Sequence, residues 1–248
     1  MGSKPDYLKE LSALEEWDKY LMVHSCLPGP RSNLELASVV ADHAPRELIM
    51  RYIQMDAEQA PENTAAIFLP ICGVIGLGRL LERGEGQVLS ILRRLAVDPR
   101  WRIRESVVIA LEYWGKSATK DLLKEMTRWS KGNFYEQRAA IAALCHPQFL
   151  NDHQIAHDVL IILDNVTTSF YLSEHKKDAG FLVLRKTLGY GWSVAIPALP
   201  GEGKKLFEKW VQYYYDRDIR WIIRSNLKKD RLIRKEKDWV NKISQKIQ

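Results

Sequence analysis

Cysteine is scarce in this chain. Three occur in 248 residues, Cys26, Cys72 and Cys145, and no two share a C-x-x-C spacing. That excludes a disulfide framework and a zinc ribbon, and it suits buried free thiols in a reducing compartment. Histidine is also sparse, at six residues. Only His153 and His157 stand at i and i+4, with Asp152 and Asp158 beside them. No Glu follows His153 as in H-E-x-x-H, so a solvated helix start is expected there and no metal site. No G-x-S-x-G is present, which leaves nucleophilic catalysis without support. The glycines of "GVIGLGR" (Gly73, Gly76, Gly78) do not form G-x-G-x-x-G and follow no strand. They read as close helix packing rather than a dinucleotide loop. No catalytic residue and no cofactor is therefore expected.

Long apolar runs are few. The most apolar segment, "TAAIFLPICGVIGLGRLL" (Thr64–Leu81), carries Pro70 and ends near Arg79. A membrane helix needs about 20 apolar residues, so a buried core helix is expected. The opening "MGSKPDYLKELSALEEW" is too charged for a signal peptide, and a cytoplasmic protein with no membrane partner is expected. Alternating runs of Val, Ile and Thr are missing too, which excludes convincing strands.

What is present is helical periodicity. Hydrophobic residues make up 46% of the chain and charged ones 27%, which excludes a disordered chain. Leu8, Leu11, Leu14 and Leu21 mark one face of a first helix. "HSCLPGPRSN" reads as a loop. Asn33 is placed to cap a helix through Val40, Pro45 to start the next, and Asn63 to cap the apolar helix. "LGYGW" (Leu188–Trp192) followed by "IPALPGEG" reads as a helix end and long turn, with Trp192 as an apolar anchor.

Four segments then align without gaps: "RESVVIAL" from Arg104, "RAAIAALC" from Arg138, "KDAGFLVL" from Lys177 and "RWIIRSNL" from Arg220. Their starts lie 34, 39 and 43 residues apart, the period of two-helix solenoid repeats. Before them lie "GQVLSILRRLAV", "TKDLLKEMTRWS", "DHQIAHDVLIILDNV" and "GKKLFEKWVQYYY", each reading as the first helix of a pair. One pair cannot bury both apolar faces, so neighbours must stack. Small residues such as Ala110, Ala139 and Gly180 permit close approach.

On these residues, "DPRWRIRESVVIAL" and "DIRWIIRSNL" resemble HEAT repeats of the armadillo-type superfamily. The match covers roughly Glu85 to Leu232. With "GLGRLL" and "LGYGWSVA" the chain also looks like a group of bacterial HEAT-repeat proteins. More distantly it is similar to the HEAT-like alkylpurine DNA glycosylases. The resemblance implies an all-α fold: a right-handed α-solenoid of about five helix pairs. Residues 1–60 would form a helical N-terminal cap and residues 61–248 the repeat array, with a basic C-terminal end at 201–248.

Charge is unevenly spread. Residues 201–248 hold 14 Lys and Arg against seven Asp and Glu, a net +7, which leaves −1 for the preceding 200. Such asymmetry points to an anionic partner. Arg220, Arg224, Lys228, Arg231 and Lys235 are spaced to form one helical stripe. A second cluster surrounds Trp101. Arg104 and Arg220 occupy the repeat's basic position and are assigned to the fold. The residues expected to touch a partner are Arg93, Arg94, Arg100, Trp101, Arg102, Arg224, Lys228 and Arg231. The favoured expectation is a non-enzymatic scaffold binding a macromolecule on its concave surface. The partner is expected to be a protein, with nucleic acid as the alternative. The glycosylase resemblance adds two carboxylate–aromatic pairs to weigh, Asp98 with Trp101 and Asp218 with Trp221.

Overall fold

The computed structural model describes residues 6–247. Those residues are all-helical, with fourteen α-helices, two short 3₁₀ turns and no strand among them. They form two compact units divided between Ser117 and Ala118.

The first unit holds α1 (Tyr7–Ser12), α2 (Asp18–His24), α3 (Leu34–His43), α4 (Arg46–Ile53), α5 (Phe68–Glu82), α6 (Val88–Leu95) and α7 (Trp101–Ser117). Its centre is α5, which packs against α3, α4 and α7. The apolar segment is thus a core helix. The stretch Ala65–Glu82 is long and apolar enough to cross a membrane, but most of it is buried inside the unit. A helix apolar all round needs cover all round, and α5 has it. Its glycines set the approach distances. A Cβ on Gly76 would lie 2.9 Å from the Ile49 side chain, and one on Gly78 would lie 2.4 Å from the Ala110 carbonyl oxygen of α7. Arg79 is the cation at its far end. It pairs with Asp42 at 2.6 Å and Glu82 at 2.7 Å and stacks on Tyr113 at 4.3 Å.

Two expectations change in this unit. The predicted first helix is two, because the Trp17 indole N–H donates to the Leu11 carbonyl and closes α1. Only Leu11 and Leu21 of the four leucines reach the core; Leu8 and Leu14 are exposed. Asn33 caps α3 as expected, accepting from the Leu36 N–H at 3.1 Å. Asn63 does not cap α5, which is entered through the 3₁₀ turn Ala65–Ile67 after Thr64.

The second unit holds α8 (Thr119–Trp129), α9 (Phe134–Leu144), α10 (His153–Leu172), α11 (Ala179–Ala195), α12 (Pro200–Val211), α13 (Arg217–Leu227) and α14 (Asp230–Lys246). Here α11 packs between α9 and α13, while α8, α10 and α12 lie against α9, α11 and α13 in turn. The core is aromatic: Phe170 stacks on Phe181 at 4.0 Å, and Trp192 meets Phe207 edge-on at 5.7 Å.

The predicted helix end at "LGYGW" is instead the interior of α11. Its glycines serve approach rather than a turn. A Cβ on Gly189 would lie 2.5 Å from the Trp221 ring, and one on Gly191 would touch Ile141, Leu163 and Cys145 at 3.1–3.3 Å. Buried Asn226 of α13 locks the contact. Its amide donates to the Leu188 carbonyl at 2.8 Å, and its carbonyl accepts the Ser193 N–H at 2.8 Å. Trp192 is fully buried, as an anchor should be.

Two stability outcomes follow. Gly78→Ala should lower unfolding free energy by about 2 kcal/mol, since overpacking a rigid contact outweighs the helix-propensity gain. Gly201→Ala, on α12 with nothing within 4 Å, should be neutral or stabilising by up to about 1 kcal/mol. Urea midpoints of the two variants read this contrast.

A pH dependence follows from Glu112 on α7. Burial pushes its carboxyl from 4.5 up to about 7; Lys116 opposes this and Glu105 adds to it. An acid raised on folding binds its proton more tightly in the folded state. Its protonation therefore favours the fold, and stability is lost as pH rises from about 4.5 through about 7. Glu112→Gln should flatten denaturation midpoints across that window.

Candidate anion-binding cleft

Helix α13 shows why its outer face is basic. Asp216 is its N-cap, accepting from the Asp218 and Ile219 N–H groups at 2.9 and 3.0 Å. Burial alone would raise the Asp216 carboxyl, but the Ile219 N–H, Lys176 at 2.9 Å and the Asp218 N–H hold it below its ordinary value. Ile219, Ile222, Ile223 and Leu227 turn inward and are buried. The helical period then sends Arg217, Arg220, Trp221, Arg224 and Lys228 to the other side.

Those residues, with Ser225 and with Arg185 from α11, line a cleft of about 490 Å³. Five of its seven lining residues are cations, and none is a carboxylate. Asp218 is close by, but its carboxylate is taken by an ion pair with Arg185. The Arg185 guanidinium also stacks on Trp221 at 4.8 Å. Tyr214 backs the cleft, with Arg224 and Arg220 over its ring at 5.5 and 5.8 Å. Trp221 remains 38% exposed. Arg217, Arg224 and Lys228 are exposed and have no carboxylate partner among the described residues. An anion entering here meets guanidinium forks suited to phosphate or carboxylate.

The predicted contact residues separate. Arg224 and Lys228 line this cleft. Arg231 does not, because the predicted stripe is broken. Helix α13 ends at Leu227, Lys228 is its C-cap, and Lys229 is already the N-cap of α14. Arg231 lies instead over the Tyr190 ring at 6.0 Å. Arg220, assigned to the fold from its repeat position, is a lining residue.

In the first unit the basic cluster is mostly consumed by the fold. Arg100 is only 6% exposed. Its guanidinium chelates Asp98 and donates to the carbonyls of Met55, Asp56 and Ala60 at 3.0, 2.8 and 3.2 Å. Arg102 is also buried, donating to the Gly29 carbonyl at 2.7 Å and facing Glu62 at 3.2 Å. Trp101, 45% exposed, stacks on Arg102 at 4.4 Å. Arg104 donates to the Asp98 and Pro99 carbonyls. Arg94 is exposed on α6 and Arg93 half-buried. Trp101 and Arg102 line a separate cleft of about 330 Å³ with Leu34 and Ile109.

Sequence reasoning missed Arg185 and Arg217. Arg217 stands beside the capping Asp216 and reads as part of a turn. Arg185 comes from another segment, and no spacing within the chain links it to its partner Asp218 on α13. Of the histidine pair, His157 bonds to Glu202 at 2.9 Å. Both weighed carboxylates, Asp98 and Asp218, are held by guanidinium groups.

Comparisons of the chain with protein-family models, with curated proteins and with solved structures found no match.

Arg100→Ala should destabilise the protein by about 3 kcal/mol, because it strips the half-buried Asp98 carboxylate of its guanidinium and leaves the Met55 and Ala60 carbonyls without that donor. Arg224→Ala should stay within about 0.5 kcal/mol of the parent, as exposed substitutions do. Thermal unfolding of both separates cations that hold the fold from cations that are spare.

Proposed function

We propose that the protein is a non-enzymatic HEAT-like helical-repeat scaffold that binds an anionic macromolecule, nucleic acid, through the cleft on α13 and α11. The observation that carries this reading is five cations around a partly exposed tryptophan with no carboxylate in the lining. Guanidinium and ammonium groups contact phosphates without regard to sequence. A partly exposed aromatic ring beside them offers a surface on which an unpaired base can stack.

A right-handed solenoid is the architecture we infer for this scaffold. It is supported by the packing of α9, α11 and α13 in succession, each with a preceding helix against it. Glycine and alanine at those contacts suit stacked repeats. A cytoplasmic location fits the three free thiols. Burial pushes the Cys145 thiol up to about 12 and the Cys72 thiol well above its ordinary range, so both are unreactive packing groups. A glycosylase activity has weaker support, since a carboxylate clamped by arginine is a poor neighbour for a cationic transition state.

The test is fluorescence anisotropy with labelled duplex and single-stranded DNA across a salt series. Affinity should fall linearly on a log–log plot, by about 0.9 per duplex phosphate contacted. Arg224→Ala with Lys228→Ala should reduce that slope by about 2. Salt-independent or absent binding would reject the reading. Equal affinity for polyglutamate would move the partner to an acidic protein.

A further inference from the structure

Another cleft in the second unit lies elsewhere, between α8 and α10 with α9 beneath. It encloses about 720 Å³, within the range of small-molecule sites. Cations, an aliphatic wall, carboxamides and the hydroxyls of Thr127, Ser130 and Ser169 line it. Lys120, Lys124 and Lys131 are exposed and have no carboxylate partner among the described residues. Against these three cations the lining offers one acid, Asp158. Leu123, Ile161 and Ile162 supply an aliphatic wall, with Ile161 38% exposed. Two carboxamides, Gln137 and Asn165, supply donors and acceptors.

Gln137 is the group the fold does not account for. It is only 6% exposed, and its Oε1 has no hydrogen-bond partner among the described residues. Its Nε2 makes a single long bond to the Ser169 hydroxyl at 3.4 Å. A buried carbonyl without a donor destabilises the protein that carries it. The last torsion of a glutamine is broad and two-fold, so breaking the one long bond to Ser169 and turning the amide toward the cleft would let a ligand at its floor present the missing N–H.

We propose that this cleft binds a nucleoside monophosphate. The aliphatic wall takes the flat base, the Gln137 and Asn165 amides meet the base's N–H groups and ring nitrogens, and the lysines take the phosphate. Charge fits as well, since three cations less one acid match a dianion. The cleft shares no residue with the basic cleft on α13, so either proposal can fail alone.

Calorimetric titration of the full chain with AMP, adenosine and inorganic phosphate tests it. AMP should saturate one site, with adenosine and phosphate each about tenfold weaker or more, because each makes only part of the contacts. Gln137→Leu should weaken AMP about tenfold while Tm stays level or rises, since an unpaired buried carbonyl is removed. Lys124→Ala with Lys131→Ala should weaken AMP about tenfold as well, through lost charge-assisted bonds. Arg224→Ala with Lys228→Ala should leave AMP binding unchanged. Should Gln137→Leu not fold, Gln137→Met carries the same expectation. Absence of saturable AMP binding overturns the proposal. So does phosphate binding as tightly as AMP, or loss of AMP in the α13 variant rather than at Gln137.

Discussion

The second unit depends on α11 being approached closely from two sides. A helix that carries ordinary side chains keeps its neighbours 8–10 Å away, axis to axis. Glycine lets them nearer, and α11 uses it on both flanks: Gly180 and Gly191 against α9 and α10, and Gly189 against the Trp221 ring of α13. Asn226 then makes the near contact specific by bonding to the α11 backbone at Leu188 and Ser193. Because α13 sits so close, Arg185 of α11 reaches Asp218 and covers Trp221. The basic cleft is thus a consequence of where glycine stands on α11.

Charge has opposite meanings in the two units for one physical reason. A buried guanidinium is tolerated only when its donors are satisfied, and Arg100 satisfies them on Asp98 and three carbonyls. It closes the loop ahead of α5 and has nothing left for a partner. Arg224 and Lys228 keep their hydration and their charge. Only the second kind can exchange water and counterions for a ligand's phosphates.

Much of the helical pattern was legible in the sequence. The four aligned segments fall on α7, α9, α11 and α13, and the segments before them on α6, α8, α10 and α12. Apolar periodicity suffices there because burial on one face is what forms the helix. Glycine misled at "LGYGW", since a helix end and a close contact ask for the same residue, and only the position of Trp221 tells them apart. The cleft was half legible. Periodicity put Arg224 and Lys228 outward, but the stripe through Arg231 assumed one helix where there are two. Arg185 was hidden because its partner lies on another helix, and single-chain spacing carries no information about that pairing. The reading of Arg100 and Arg102 as contacts came from their clustering around Trp101 in the sequence, which does not distinguish a satisfied cation from a spare one.

What leaves the α13 cations spare is the placement of the neighbouring acids. The C-terminal segment is not short of carboxylates; Asp216, Asp218 and Glu236 all lie within it. Each is committed to a different task. Asp216 caps α13 and binds Lys176, Asp218 binds Arg185, and Glu236, at the kink of α14, binds Lys204 of α12. Every one of these pairs ties α13 or α14 to another part of the unit. Using the acids as ties removes them as local counter-charges, and the outer face of α13 is left positive. The same step that secures the end of the unit therefore creates an anion-attracting surface on α13.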